Sequence, residues 1–217
     1  MAKVRSIIGF SGTIDGLTFV DSNTYAPHTR AKRGTYKPVS LNEGMKKSSA
    51  VQTQVNLMTK LIFDPVKDYA PRLKNGKLWP KLLSVFRQQQ KQGKSYCYSG
   101  FHRLEMRTEY PTSKHGFFNL TKDPERGLLL QCQLVNNNDY RIRLLRIATD
   151  STLLAPYPTE VRTVDLKAGD QQYQVPFEFT ELPADARTLY VLHCEKLIKG
   201  VPAGLLASGG ARFLFLA

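Results

Sequence analysis

The texture of the chain changes at residue 127, and that change decides the class of fold. From Gly127 onward, short apolar runs recur between turn residues. Gly127–Val135 reads as a strand and Tyr140–Ala148 as its return strand. Between them, Asn136-Asn-Asn-Asp139 offers residues that tolerate a left-handed backbone, as a turn requires. Further strands are expected near 159–166, 171–179, 187–195 and 210–216, separated by Pro- or Gly-containing turns. Six short strands at this spacing predict an antiparallel sandwich. There is no Cys…Trp…Cys core, so the sandwich is at most immunoglobulin-like. Gln131, Gln133, Arg141 and Arg143 are expected on exposed faces of the first hairpin. Cys132 and Cys194 fall on inner strands as small core residues, and Phe213–Leu216 close the sheet or dock on a partner.

The first part of the chain is built differently. Residues 3–20 predict a β-hairpin: Val4, Ile7, Ile8, Phe10, Leu17, Phe19 and Val20 favour strands, and Asp15-Gly16 is a turn signal. Residues 21–39 read as a polar, basic and aromatic extended arm. Ser40-Leu41-Asn42-Glu43 fits a capping box, in which hydroxyl and carboxylate satisfy free backbone amides reciprocally. Val51, Val55, Met58 and Ile62 then form one apolar stripe of a helix. Asp64-Pro65 is expected to break that helix or start a short successor through Tyr69. A second helix begins near Trp79-Pro80, buries Leu82, Leu83, Val85 and Phe86, carries Gln88–Gln92 as its polar end, and stops at Gly93. Residues 94–126 are less regular and crowded with aromatics, as in a seam or groove between helices and sandwich. The expected organisation is hairpin and arm over 1–39, a basic helical region over 40–126 and a sandwich over 127–217, an α+β chain.

Charge is distributed with the same asymmetry. Residues 1–127 carry 22 Lys/Arg against 9 Asp/Glu, and residues 128–217 carry 9 against 9, so the whole net charge of +13 lies in the first part. A basic region attracts polyanions, whether nucleic acid, an acidic membrane surface or an acidic protein; the plain alternative is solubility. In the arm, Tyr25 and Tyr36 are interleaved with Arg30, Lys32, Arg33 and Lys37, and Lys46 and Lys47 follow in the helix. Rings can stack on bases while cations hold phosphates; packing of the tyrosines on the fold is the alternative. No run approaches the ~20 apolar residues of a membrane-spanning helix. Gly9, Ser11 and Gly12 interrupt the first apolar stretch, which argues against a secretory signal. Three cysteines without such a signal suit a reducing cytoplasm.

Motifs that would name a reaction are missing. No Gly-Lys-Ser/Thr follows Gly9-Phe-Ser-Gly12, and no Gly-x-Ser-x-Gly elbow occurs. His193-Cys194-Glu195 has the residue types of a zinc site, but on a strand His193 and Glu195 share a face that Cys194 does not. Cys97 and His102 are the residue types of a nucleophile pair without evidence of geometry. Glu105 and Glu109, alternating with Arg103 and Arg107, read as a solvated ion-pair stretch.

The opening Ile8-Gly-Phe-Ser-Gly-Thr-Ile-Asp-Gly-Leu-Thr-Phe19, the segment Asp64-Pro65-Val66-Lys67-Asp68-Tyr69 and the closing Ser208-Gly-Gly-Ala-Arg-Phe-Leu-Phe215 carry a resemblance. The chain resembles a Bacteroidota family of small basic proteins of unknown function. Its members share a Gly-x-x-Ser-Gly-x-x-Gly-like opening, a Lys/Arg-rich helical middle and a C-terminal sandwich. Here Thr13-Ile14-Asp15-Gly16 stands at the second glycine cluster. The resemblance implies a bacterial or phage origin and carries over no catalytic residue. The expectation is a non-enzymatic structural or assembly protein, without cofactor, metal or small-molecule substrate. Its basic half contacts nucleic acid or an acidic protein, and it assembles with other proteins or its own copies. A phage virion or phage-derived particle is the concrete form, and the place is cytoplasm or virion rather than membrane. A stand-alone nucleic-acid-binding protein and a hydrolase of unknown substrate are the alternatives.

Overall fold

Residues 2–3, 11–21, 27–31, 41–123, 127–168 and 172–216 are described by the computed structural model of the chain. Two units, Met1–Ser48 and Ser49–Ala217, are each compact. In the first, strands β1 (Ala2–Lys3), β2 (Gly12–Ile14), β3 (Leu17–Val20) and β4 (His28–Ala31) form an antiparallel sheet ordered β1-β4-β3-β2. Asp15 and Gly16 both take positive φ, 41° and 81°, the geometry of the tight turn expected there. Ile14 therefore faces Leu17 and Gly12 faces Phe19. Part of the expected arm is a strand: His28–Ala31 pairs along β3. Val4, Ile7, Ile8 and Phe10 lie outside the described residues.

Helix α1 spans Glu43–Tyr69. Its cap is Asn42, whose Oδ1 accepts the Met45 amide at 2.8 Å. The start is thus framed two residues later than the Ser40–Glu43 box, since Asn caps as well as Ser; Ser40 lies outside the described residues. Val55, Met58 and Ile62 are buried, as their spacing predicts. Pro65 does not break the helix. The apolar face runs on through Val66 and Tyr69, and burying two such side chains at ~1.5–3 kcal/mol each offsets a proline cost of about 3 kcal/mol.

Helix α2 spans Leu78–Lys91 and is followed by Gly93 at φ 65°. Leu82, Leu83 and Phe86 are buried as expected. Gln89 departs from the polar end assigned to it: it is buried, with Nε2 donating to the Cys97 carbonyl and Oε1 accepting the Cys97 amide. One glutamine thereby satisfies both backbone groups of a residue in the return loop.

The remaining strands are β5 (Gly116–Asp123), β6 (Gly127–Leu134), β7 (Tyr140–Thr149), β8 (Glu160–Leu166), β9 (Gln172–Phe177), β10 (Arg187–Ile198), β11 (Val201–Pro202) and β12 (Gly209–Leu214). Sequence had assigned 116–123 to an irregular crossing; it is a strand paired with β6 along its length, so the boundary expected at 126/127 falls inside a hairpin. Nor do β6 and β7 pair. One sheet is β5-β6-β9, and the other runs β8-β7-β10 with β11 and β12 on the far side of β10. The Asn136–Asp139 turn carries the chain from one sheet to the other.

The two sheets enclose one apolar cluster, with Phe118, Leu130 and Cys132 facing Ile142, Leu144, Leu192 and Cys194. The opposite face of the β7-β10-β12 layer carries Leu145, Ile147, Leu189, Val191, Ala211 and Phe213, which pack with α1 and α2 in a second cluster. The order is helices, central sheet, outer sheet. A sheet covered on both faces cannot alternate apolar with polar, which is why Leu189–Leu192 and Ala211–Leu214 read as continuous runs.

Segment 103–106 covers the free edge of β12: Met106 N–H donates to Ala211 O, and Phe213 N–H to Leu104 O. Exposed sheet edges invite pairing with other chains, and this one is closed. Glu105 therefore lies opposite Arg212, and its carboxylate accepts from the Thr112 amide and hydroxyl. Arg107 donates to the carbonyls of Leu73 and Lys74. The expected solvated ion-pair stretch is not formed among the described residues, because the pairing of 103–106 with β12 turns Glu105 toward Arg212 and Thr112. The same closeness explains the Gly209-Gly210 pair. A Cβ on Gly210 would stand 2.9 Å from the Thr112 nitrogen and the Tyr110 carbonyl oxygen, both backbone atoms. Gly210→Ala is expected to lower stability by about 1–3 kcal/mol, read as a lower urea midpoint; an unchanged midpoint would contradict the packing.

Candidate functional site

Of the residues singled out by sequence, Arg30 is exposed on β4, and Lys46 and Lys47 are exposed in the first turns of α1. Tyr25, Lys32, Arg33, Tyr36 and Lys37 lie outside the described residues.

The surplus of positive charge continues into the second unit. Residues 49–122 carry 13 Lys/Arg against 4 Asp/Glu. Among the described residues, two ion pairs engage these cations, Lys67–Asp64 at 3.9 Å and Arg72–Glu195 at 4.0 Å. Lys77, Lys81, Arg87 and Lys91 follow one another at steps of four, six and four residues along one side of α2 and its N-cap, with Ser84 and Gln88 between them. Lys81 Nζ donates to the Glu105 carbonyl and Arg87 Nη2 to Gln52 Oε1. The first turn of α2 has no acidic residue. Lys77 and Lys81 therefore stand at the positive end of the helix dipole, where a cation costs about 0.3–1 kcal/mol. Helix stability does not explain their placement. Glu109 is held below the ordinary carboxylate range first by its own backbone amide and then by Lys77, Arg107 and Lys81.

A cleft of about 340 Å³ opens where the C-terminal end of α1 meets the polar end of the central sheet. Arg143 on β7 and His193 on β10 are cross-strand partners. Arg143 was expected on an exposed hairpin face; it is half-buried, because β7 is an inner strand whose face is partly roofed by α1. Its Nε and Nη2 both donate to His193 Nδ1, at 3.2 and 2.7 Å. Arginine can only donate, so Nδ1 is the unprotonated nitrogen. Burial, then Arg143, push the His193 pKa down to about 3, so the ring stays neutral. The guanidinium lies over the Tyr69 ring at 5.0 Å, and the Tyr69 hydroxyl donates to Val191 O. Glu195 shares the His193 face, as strand alternation predicts. Its Oε1 accepts the Gly204 amide at 2.9 Å. Arg143 forms no ion pair among the described residues.

A larger cavity of about 670 Å³ lies at one end of the sandwich. Its arginine, Arg146, is committed to Glu160 and to the Thr180 carbonyl. Cys97 Sγ engages Ser99 Oγ at 2.9 Å, while His102 Nδ1 accepts the Phe215 amide. Cys132 and Cys194 are core thiols, each pushed up to about 12 first by burial. Among the described residues, no three His, Cys, Asp or Glu side chains gather as metal ligands, and no helix is long and apolar enough to cross a membrane.

No family model, no curated protein and no solved structure matches the chain.

Proposed function

We propose that the protein is a non-enzymatic assembly component that docks on a polyanion through its basic first half. One observation carries this reading: the cations of residues 49–122 outnumber nearby carboxylates threefold and, two pairs aside, form no ion pairs among the described residues. Lysines placed against a helix dipole, in a row whose Lys77, Arg87 and Lys91 are exposed, have an external use as their simplest purpose. Nucleic acid is the favoured polyanion, since a row of single cations suits repeated phosphates. Arg30, Lys46 and Lys47 extend the basic sequence into the first unit, with Tyr25, Lys32, Arg33, Tyr36 and Lys37 as further contacts, the tyrosines stacking on bases. The resemblance noted above makes a phage or phage-derived particle its setting.

Binding of duplex DNA, single-stranded RNA and polyglutamate at low ionic strength tests the reading. Binding of either nucleic acid above polyglutamate is expected. Preference for polyglutamate would move the docking to an acidic protein, and absence of binding to all three would overturn it.

A further inference from the structure

Half-buried arginines normally meet a carboxylate, because a desolvated charge without a counter-charge is costly. Arg143 instead meets a neutral imidazole and an aromatic face. Two of its three nitrogens are held by His193 Nδ1, which fixes the plane of the guanidinium. Its central carbon stands over the Tyr69 ring, 5.0 Å from the centroid. The Nη1 end takes no hydrogen bond among the described residues and belongs to a side chain that lines the cleft. The neighbouring carboxylate does not serve it: Glu195 is bound by the Gly204 amide and faces Arg72. Leu205 and Leu206 also line the cleft, Leu205 at its exposed rim. An oriented guanidinium without an ion-pair partner among the described residues, in a cleft that leucines also line, suits one anionic head on an apolar body.

We propose that this cleft binds a small monocarboxylate, with its carboxylate on the free end of Arg143 and its apolar body against Leu205 and Leu206. A single charge fits better than a phosphate dianion, since Asp68 and Glu195 also line the cleft and repel a second charge. The site stands independently of the polyanion surface, which lies on other side chains.

Titration of the full-length protein with hexanoate, hexylamine and inorganic phosphate, followed by amide and arginine Nε–H resonances, tests this. Hexanoate is expected to give saturable shifts at Arg143, Tyr69 and Leu206; hexylamine and phosphate are not. Arg143→Gln is expected to weaken hexanoate binding by about tenfold or more, while Arg141→Gln, whose partner is Asp165, leaves it in place. In case Arg143→Gln disturbs folding, Leu205→Glu supplies a second test. It sets a negative charge at an exposed position on the rim and is expected to weaken hexanoate several-fold. Absence of saturable hexanoate binding, phosphate binding as strong as hexanoate, or unchanged affinity in Arg143→Gln or Leu205→Glu would overturn the proposal.

Discussion

Glu160→Gln is expected to destabilise the protein by about 3–5 kcal/mol, the usual cost of leaving one buried ion without its partner. Arg146 is the buried ion left behind; the half-exposed Arg162 loses the same partner. The Arg146 side chain is 6% exposed, packed over the Phe179 ring, and its Nε has no hydrogen-bond partner among the described residues. Among the described residues, Glu160 supplies the only negative charge paired with it, and Thr180 O accepts from Nη1. Removing both ions together, as Arg146→Met with Glu160→Met, is expected to recover most of the loss, because no charge then remains buried. Urea denaturation of the three proteins measures this. A loss below about 1 kcal/mol for Glu160→Gln would show that water reaches the pair. The pH dependence has the same origin. The Glu160 carboxyl is subject first to burial, which raises its pKa, but the Thr180 amide and Arg146 outweigh burial and hold it below its ordinary value. Its contribution is therefore complete above the ordinary carboxylate pKa and is lost as pH falls through the lowered one.

Phe213→Ala is expected to cost a similar ~3–5 kcal/mol, through lost burial plus the cavity left behind. Phe213 is fully buried on the helix-facing side of β12, with its ring centroid 6.0 Å from that of Phe101. The effect should be felt beyond the sheet. Phe213 belongs to the cluster that contains Ile62 of α1 and Phe86 of α2, so helices and central sheet depend on one core. Trp79, the sole tryptophan, stands on α2 and reports the helices. Its fluorescence and the far-ultraviolet circular dichroism are expected to shift to one lower common midpoint in Phe213→Ala. A tryptophan transition that stays at its original midpoint would show that the helices fold apart from the sheet.

Local signals in the chain were read well and long-range ones were not, for a physical reason. Asp15-Gly16, the Val55–Ile62 stripe, Gly93 and strands β8, β9, β10 and β12 are specified by residues close in sequence. The pairing of β6 with β5 and β9 rather than β7 is set by which faces must be buried, and no local pattern records it. Strand β5 was hidden because Phe117-Phe118 look alike in a seam and in a strand. Pro65 looked like a helix end because its local penalty is visible while the burial of Val66 and Tyr69 is not. The cleft was illegible for the same reason. Tyr69, Arg143 and His193 come from three distant segments, and Arg143 read as an exposed hairpin residue. The basic surface was legible as composition, but its outward row on α2 needed the helix to be placed.

The salt dependence of nucleic-acid affinity, measured for the native protein and for a variant with Lys77, Lys81, Arg87 and Lys91 all changed to glutamine, tests polyanion docking most directly. Affinity for duplex DNA should fall linearly with salt on logarithmic axes. The variant's slope should be shallower by about 0.9 for each of these cations that meets a phosphate. Equal slopes and equal affinities in the two proteins would contradict docking through this face.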